Sequence, residues 1–194
     1  MTPLLQTERL LLRRFFPEDV PALFLLLQDE EVNTFLPWFA LKDMQEAETF
    51  YRERIAPEYE KPQARFYAVC LREDNVPIGY ITVGAEESRD LGYALRRQFW
   101  HRGIMTEAGI KVLKELEGAG IPYVTATHDV KNPKSGGVMR RLGLKYQYSY
   151  VEQWQPKDIP VTFRMYQRNL DGDPRHVFLK YWQTYPVHFI EKEL

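Results

Sequence analysis

Two glycine-bearing turns hold the residues best placed to do chemistry. Residues 91–108, LGYALRRQFWHRGIMTEA, run from an alternating strand through a basic stretch centred on Gly103 straight into an amphipathic helix. Such a junction leaves backbone N–H groups free at a helix N-terminus, where a pyrophosphate can sit. A glycine there lets the backbone approach phosphate oxygens that a side chain would hold off. No Gly-Lys-Ser or Gly-Lys-Thr follows and the three-glycine spacing is missing, so the turn is neither a P-loop nor a dinucleotide fingerprint. The second segment, HDVKNPKSGGVMRRLGL at 128–144, again leads from a strand end to a helix start. Asn132, Pro133, Ser135, Gly136 and Gly137 crowd one turn there, ahead of an apolar Val138, Met139, Leu142 face.

Together the two segments resemble the acetyl-CoA-binding motif and the Asn-x-x-Ser element of the GNAT N-acetyltransferases, in the branch of the ribosomal-protein enzymes RimJ and RimL. Trp100, His101, Arg102, Gly103, Ile104, Met105, Thr106, Glu107 and Ala108 occupy the phosphate-loop places. Trp100 stands where the general motif has Gln or Arg, and Met105 where it has Gly or Ala, so backbone amides and Arg102 are expected to replace a second glycine. The resemblance also takes in TERLLLRRFFPEDVPAL, FLPW and IGYITVG, and spans residues 7 to 169.

What the resemblance implies is an acetyl-CoA-dependent N-acetyltransferase that joins acetyl-CoA and a primary amine in a ternary complex, with no metal and no covalent enzyme intermediate. The amine would be a protein N-terminus or a small molecule. Acetyl-CoA would lie between two parallel strands that splay apart, ending near Leu95 and His128. The implied cofactor-binding residues are Tyr93, Ala94, Leu95, Arg97, Arg102, Gly103, Ile104, Met105, Thr106, Asn132 and Ser135. A backbone N–H near Tyr93 to Leu95 would face the thioester oxygen, and one such preorganised donor can be worth about 3 kcal/mol.

The acceptor must be a neutral amine. A lysine-like amine with a pKa near 10.4 is roughly one part in a thousand free base at pH 7, whereas an α-amine near 8 is about a tenth free. A base therefore matters most for strongly basic amines. His128 is the candidate by position and titration range, and Glu86, Glu87 and Asp90 in the preceding turn are weaker ones. The tyrosine that commonly protonates the departing thiolate in this family is replaced by Met139. Ser135 is then the candidate acid, its other reading being an N-cap that accepts from the Gly137 or Val138 N–H. A thiolate whose thiol has a pKa of about 8.5 can also leave to water, and the missing tyrosine permits a second reading, a catalytically silent acyl-CoA-binding or sensing module. A nucleotide-binding protein that uses the same turn for ATP is a further alternative.

Around these turns, the 194 residues are 44% hydrophobic, enough for one sizeable core. A net charge of −1 offers no global field for nucleic acid or an anionic membrane. Cys70, the only cysteine, lies in the strand-like run RFYAVCL and reads as a buried structural thiol. No His/Cys/Asp cluster has metal-ligand spacing. With no secretory apolar stretch near the N-terminus, a soluble cytoplasmic protein is expected.

Strands are expected at 9–15, 65–72, 76–84, 90–95, 122–128, 144–152 and 161–169, and helices after Pro17, over 43–55, over 104–117 and over 135–142. This order implies an α+β fold of GNAT type. It has a mixed, mostly antiparallel sheet with a central splayed parallel pair between flanking helices, in three α/β/α layers. Residues 1–170 form the acetyltransferase domain, and 171–194 a C-terminal extension. Phe178, Tyr181, Trp182 and Tyr185 at helical spacing predict a short amphipathic helix up to Pro186 and then an extended tail. Their apolar face must be covered, either by the same domain or in a homodimer. Acceptor recognition is expected from 33–41, 85–90 and 146–161, where Phe35, Trp38, Tyr148, Tyr150 and Trp154 could wall a cleft.

Overall fold

Apolar runs with alternating or β-branched character become strands in a computed structural model that describes residues 2–192. β1 (Leu5–Gln6), β2 (Leu10–Arg13), β3 (Arg65–Leu71), β4 (Pro77–Val83) and β5 (Leu91–Leu95) form an antiparallel sheet in that spatial order. A second antiparallel sheet contains β6 (Tyr123–Asp129), β7 (Lys145–Trp154), β8 (Ile159–Asn169) and β9 (His188–Phe189), in the order β6-β8-β7-β9. The two sheets meet where β5 runs beside β6, and a single parallel bridge, Asp90 to Thr125, joins them. No ladder pairing continues it among the described residues, so the strands diverge towards Leu95 and Asp129.

Helices cover both faces. α4 (Ile104–Gly118) and α5 (Pro133–Arg141) pack Ile104, Met105, Ala108, Val112, Leu116, Met139 and Leu142 against Leu91, Leu95, Val124, Ala126 and Tyr166, bridging both sheets from one side. On the opposite side, α1 (Val20–Leu27), α2 (Glu30–Asn33) and α3 (Met44–Phe50) cover the first sheet through Leu23, Leu26, Leu27, Val32 and Phe50 on Phe66, Tyr80 and Ala94. The C-terminal segment covers the same side of the second sheet. Phe178, Tyr181, Trp182 and Tyr185 pack there on Tyr123, Tyr148, Tyr150 and Phe163. Its helix, α6 (Lys180–Thr184), is shorter than the aromatic spacing implies, because Phe178 precedes it and Pro186 closes it. The tail then pairs as β9 with β7 and is anchored by Arg164 on Glu191 at 2.5 and 2.8 Å. Glu193 and Leu194 lie outside the described residues.

Two helix boundaries differ from expectation. The helix expected over 43–55 is α-helical only to Phe50 and widens into a π turn at Tyr51–Ile55, which carries Ile55 wholly into the core before Pro57 breaks the ladder. α5 starts at Pro133 rather than Ser135. The Asn132 side chain accepts from the Ser135 N–H at 3.3 Å and Pro133 fits the first helical position, so Asn132 is the N-cap. The N-cap reading of Ser135 is thereby replaced.

Candidate active site

The splay between β5 and β6 opens into a cavity of about 1370 Å³ that runs through the molecule's middle, from the α4 and α5 N-termini to the α3 and C-terminal side. At the first end, His101 and Gly103 both adopt left-handed backbone, with φ of 62° and 73°. They turn the chain into α4, whose first-turn residues Ile104, Met105 and Thr106 line the cavity and whose first N–H groups have no helical carbonyl to bond. Arg9 holds this loop, donating to the Arg102 carbonyl at 3.1 Å and to Glu107 at 2.7 Å. Burial pushes the Glu107 carboxyl up, but the Thr7 and Arg9 hydrogen bonds outweigh it and hold the group below the usual carboxylate range. Sequence reasoning missed Arg9, although it lies inside the matched TERL run.

Tyr93, Ala94, Leu95, Arg102, Gly103, Ile104, Met105, Thr106, Asn132 and Ser135 all line the cavity. Arg97 does not: it pairs with Glu31 at 3.0 Å and Asp29 at 3.6 Å beside α2, away from the loop it was expected to serve. Trp100 donates its indole N–H to the Leu95 carbonyl at 2.7 Å, and Lys134 lies 5.0 Å above its ring. The tryptophan thus closes the end of β5. Across the splay, the Tyr93 hydroxyl donates to the Ser135 carbonyl at 2.9 Å, and the two hydroxyls lie 2.9 Å apart. Met139 is buried against the core where it borders the cavity, and its thioether has no proton to give.

His128 is 4% exposed, and its ring is pressed under α5 so closely that a Cβ on Gly136 would lie 2.5 Å from its Nε2. Nδ1 lies 2.7 Å from the Asp129 carbonyl and therefore carries the proton. Nε2 is sealed from solvent without a hydrogen-bond partner among the described residues. Burial lowers the imidazole pKa, more than the carbonyl bond restores, so the ring is neutral.

Asp90 occupies the vertex of the splay. Leu91 points to the α4 side, so strand alternation turns Asp90 to the opposite side with Ala94, towards Tyr150 and Tyr181. Its Oδ1 is sealed and has no hydrogen-bond partner among the described residues. Burial pushes its carboxyl up to about 7, only partly offset by the Thr125 hydroxyl. Glu86 and Glu87, its companions in the turn, are exposed and lie outside the cavity wall. Of the aromatics expected to wall a cleft, Phe35, Trp38, Tyr150 and Trp154 do so, whereas Tyr148 is core and donates to the Phe178 carbonyl at 2.8 Å.

Beyond this geometry, residues 9–145 match the acetyltransferase (GNAT) domain family. The chain belongs to the GNAT acetyltransferases. It is 24% identical over 154 residues to the uncharacterized N-acetyltransferase YoaA of Bacillus subtilis (strain 168), covering 75% of this chain and 84% of YoaA. RimL, the ribosomal L7/L12 alpha-N-protein acetyltransferase in complex with coenzyme A, superposes with a TM-score of 0.76 at 22% identity, over 88% of this chain and 100% of RimL. The microcin C7 self-immunity acetyltransferase MccE, in complex with acetyl-CoA and AMP, gives 0.73 at 17% identity, over 84% and 93% of the two chains. These two structures establish the fold of the GNAT chain. Among its described residues, no helix is long and apolar enough to cross a membrane.

Proposed function

We propose that the chain moves an acetyl group from acetyl-CoA to a primary amine by direct attack, with Asp90 as the general base. The observation that carries this reading is the Asp90 carboxyl at the vertex where β5 and β6 part, its Oδ1 sealed and without a hydrogen-bond partner among the described residues. The residues present suit acetyl-CoA. First-turn N–H groups of α4 and the exposed His101, Arg102, Lys131 and Lys134 suit a pyrophosphate, and one edge of β5 has no ladder partner among the described residues and suits pantetheine amides. When bound, the thioester supplies an electrophilic carbonyl and a thiolate leaving group.

An amine with a pKa near 10 needs a group that takes its proton near neutral pH, and a carboxyl near 7 is matched to that task. We assign this work to Asp90 rather than to His128, whose free nitrogen faces α5. Because Tyr93 commits its proton to the Ser135 carbonyl, the Ser135 hydroxyl is left to donate to Tyr93 Oη or to a departing sulfur. Replacing Ser135 by Ala should cost less than about tenfold in kcat, since a thiol with a pKa near 8.5 also leaves to water.

The test is thiol release from acetyl-CoA with a panel of amines and peptides, for wild type and Asp90→Asn. Turnover with at least one amine, lowered roughly 10²-fold or more in the variant, is expected. Acetyl-CoA binding without thiol release for any acceptor would instead favour the silent binding module.

A further inference from the structure

Resting on the acetyl-transfer reading, we propose that the acceptor is a diamine-type molecule: the wall that β7 and the C-terminal segment build over Asp90, with Glu152 on it, holds a second positive charge while the attacking amine lies at Asp90. The side of the cavity opposite α4 carries this wall. Tyr150 stacks on Tyr181 at 5.1 Å and on Tyr185 at 4.7 Å, and all three line the cavity. Glu152 follows Tyr150 by two residues on β7 and so shares its face, roughly 7 Å along the strand. It is half-buried beside Tyr185. Among the described residues no lysine or arginine forms an ion pair with Asp90 or Glu152. Two carboxyls facing one aromatic-walled space without a protein cation call for a cation from solution.

The charge along the cavity is divided in the same sense. Arg102, Lys131, Lys134, Arg140 and Arg141 outnumber Asp129 at the phosphate end. Towards the other end Glu31 and Glu58 are already paired with Arg97 and Lys61, and Asp90 and Glu152 carry no ion pair among the described residues, with Arg54 as a lining cation. A peptide N-terminus would need backbone donors and acceptors along an open groove. This wall offers ring faces and carboxylates instead, which suit an aliphatic chain with an ammonium at each end. In the transfer, the C–S bond breaks with its electron pair staying on sulfur and a C–N bond forms at the near amine. The proton lost by nitrogen passes to Asp90 and a proton returns to sulfur. The far ammonium is unchanged by the reaction.

The experiment compares kcat/KM for 1,4-diaminobutane and 1,5-diaminopentane with butylamine, pentylamine and a set of short peptides in the thiol-release assay. The full-length wild type is measured beside Glu152→Gln and Tyr185→Leu. The proposal expects at least a tenfold preference for each diamine over its monoamine. It also expects Glu152→Gln to raise the diamine KM about tenfold and bring that preference within twofold, with Tyr185→Leu moving it in the same direction. Thermal melting and acetyl-CoA binding check that each variant is folded. Wild-type preference below twofold, preference for peptides, or an unchanged ratio in folded Glu152→Gln would overturn the proposal while leaving acetyl transfer standing. No turnover with any amine or peptide would overturn both.

Discussion

At the scale of single residues, the account turns on groups held in states that water would not favour. Asp90 is the strongest case: its pKa lies near 7 because burial disfavours the carboxylate. An acid whose folded pKa exceeds its unfolded value binds more protons in the native state, so stability falls as pH rises from the ordinary carboxylate range to about 7. Asp90→Asn removes that cost. Thermal denaturation at pH 8 should give a higher Tm for the variant, by roughly 2–4 °C for each kcal/mol recovered, alongside the loss of activity. Gly103 tests the opposite end of the cavity. With φ at 73°, valine is strained there, and its Cβ would lie 3.8 Å from the Arg9 Nη2 that helps hold the loop. Gly103→Val should weaken acetyl-CoA binding at least tenfold by calorimetry, and unchanged affinity in a folded variant would remove the loop from the site.

At the scale of elements, α5 decides how the second half of the cavity is built. Asn132 caps it, Pro133 starts it, and Gly136 lets it lie on His128. A methyl at position 136 would meet the imidazole at 2.5 Å, so Gly136→Ala should cost about 1–3 kcal/mol, measured by urea denaturation. Wild-type stability in that variant would show that the close contact is relaxed in solution. Much of this layout was legible in the sequence, because Arg102-Gly103 and Asn132-x-x-Ser135 combine local turn chemistry with the helix periodicity that follows. What escaped depends on distant pairing. Asp90 reads as one of several acids in a charged turn until β6 is placed beside it, and Tyr181 and Tyr185 read as a helix face until sheet alternation shows which side of β7 they meet. Arg97 shows the same dependence: a basic residue beside the loop was free, on sequence grounds, to serve phosphate, and in the fold Glu31 of α2 and its cap Asp29 pair with it.

At the scale of the whole molecule, the C-terminal segment completes the third layer over the second sheet, where α1 to α3 cannot reach. Truncation after Asn169 uncovers Tyr123, Tyr148, Tyr150 and Phe163 and should lower the Tm by roughly 10 °C or more, given about 1.5–3 kcal/mol for each large side chain buried. Since that face is covered within one chain, light scattering should find the intact protein monomeric; a dimer that truncation converts to monomer would mean the face is shared. Among the described residues the layers leave a passage with an excess of basic side chains at the α4 end and with Asp90 and Glu152 towards the other. The most direct measurement of the account is therefore the pH dependence of kcat/KM for the best amine, in wild type and in Asp90→Asn. The account predicts that the logarithm bends near pH 7 in the wild type, its slope falling by about one as Asp90 finishes ionising, and that the variant shows no bend there. The same bend in both proteins would contradict the assignment of Asp90 as the base.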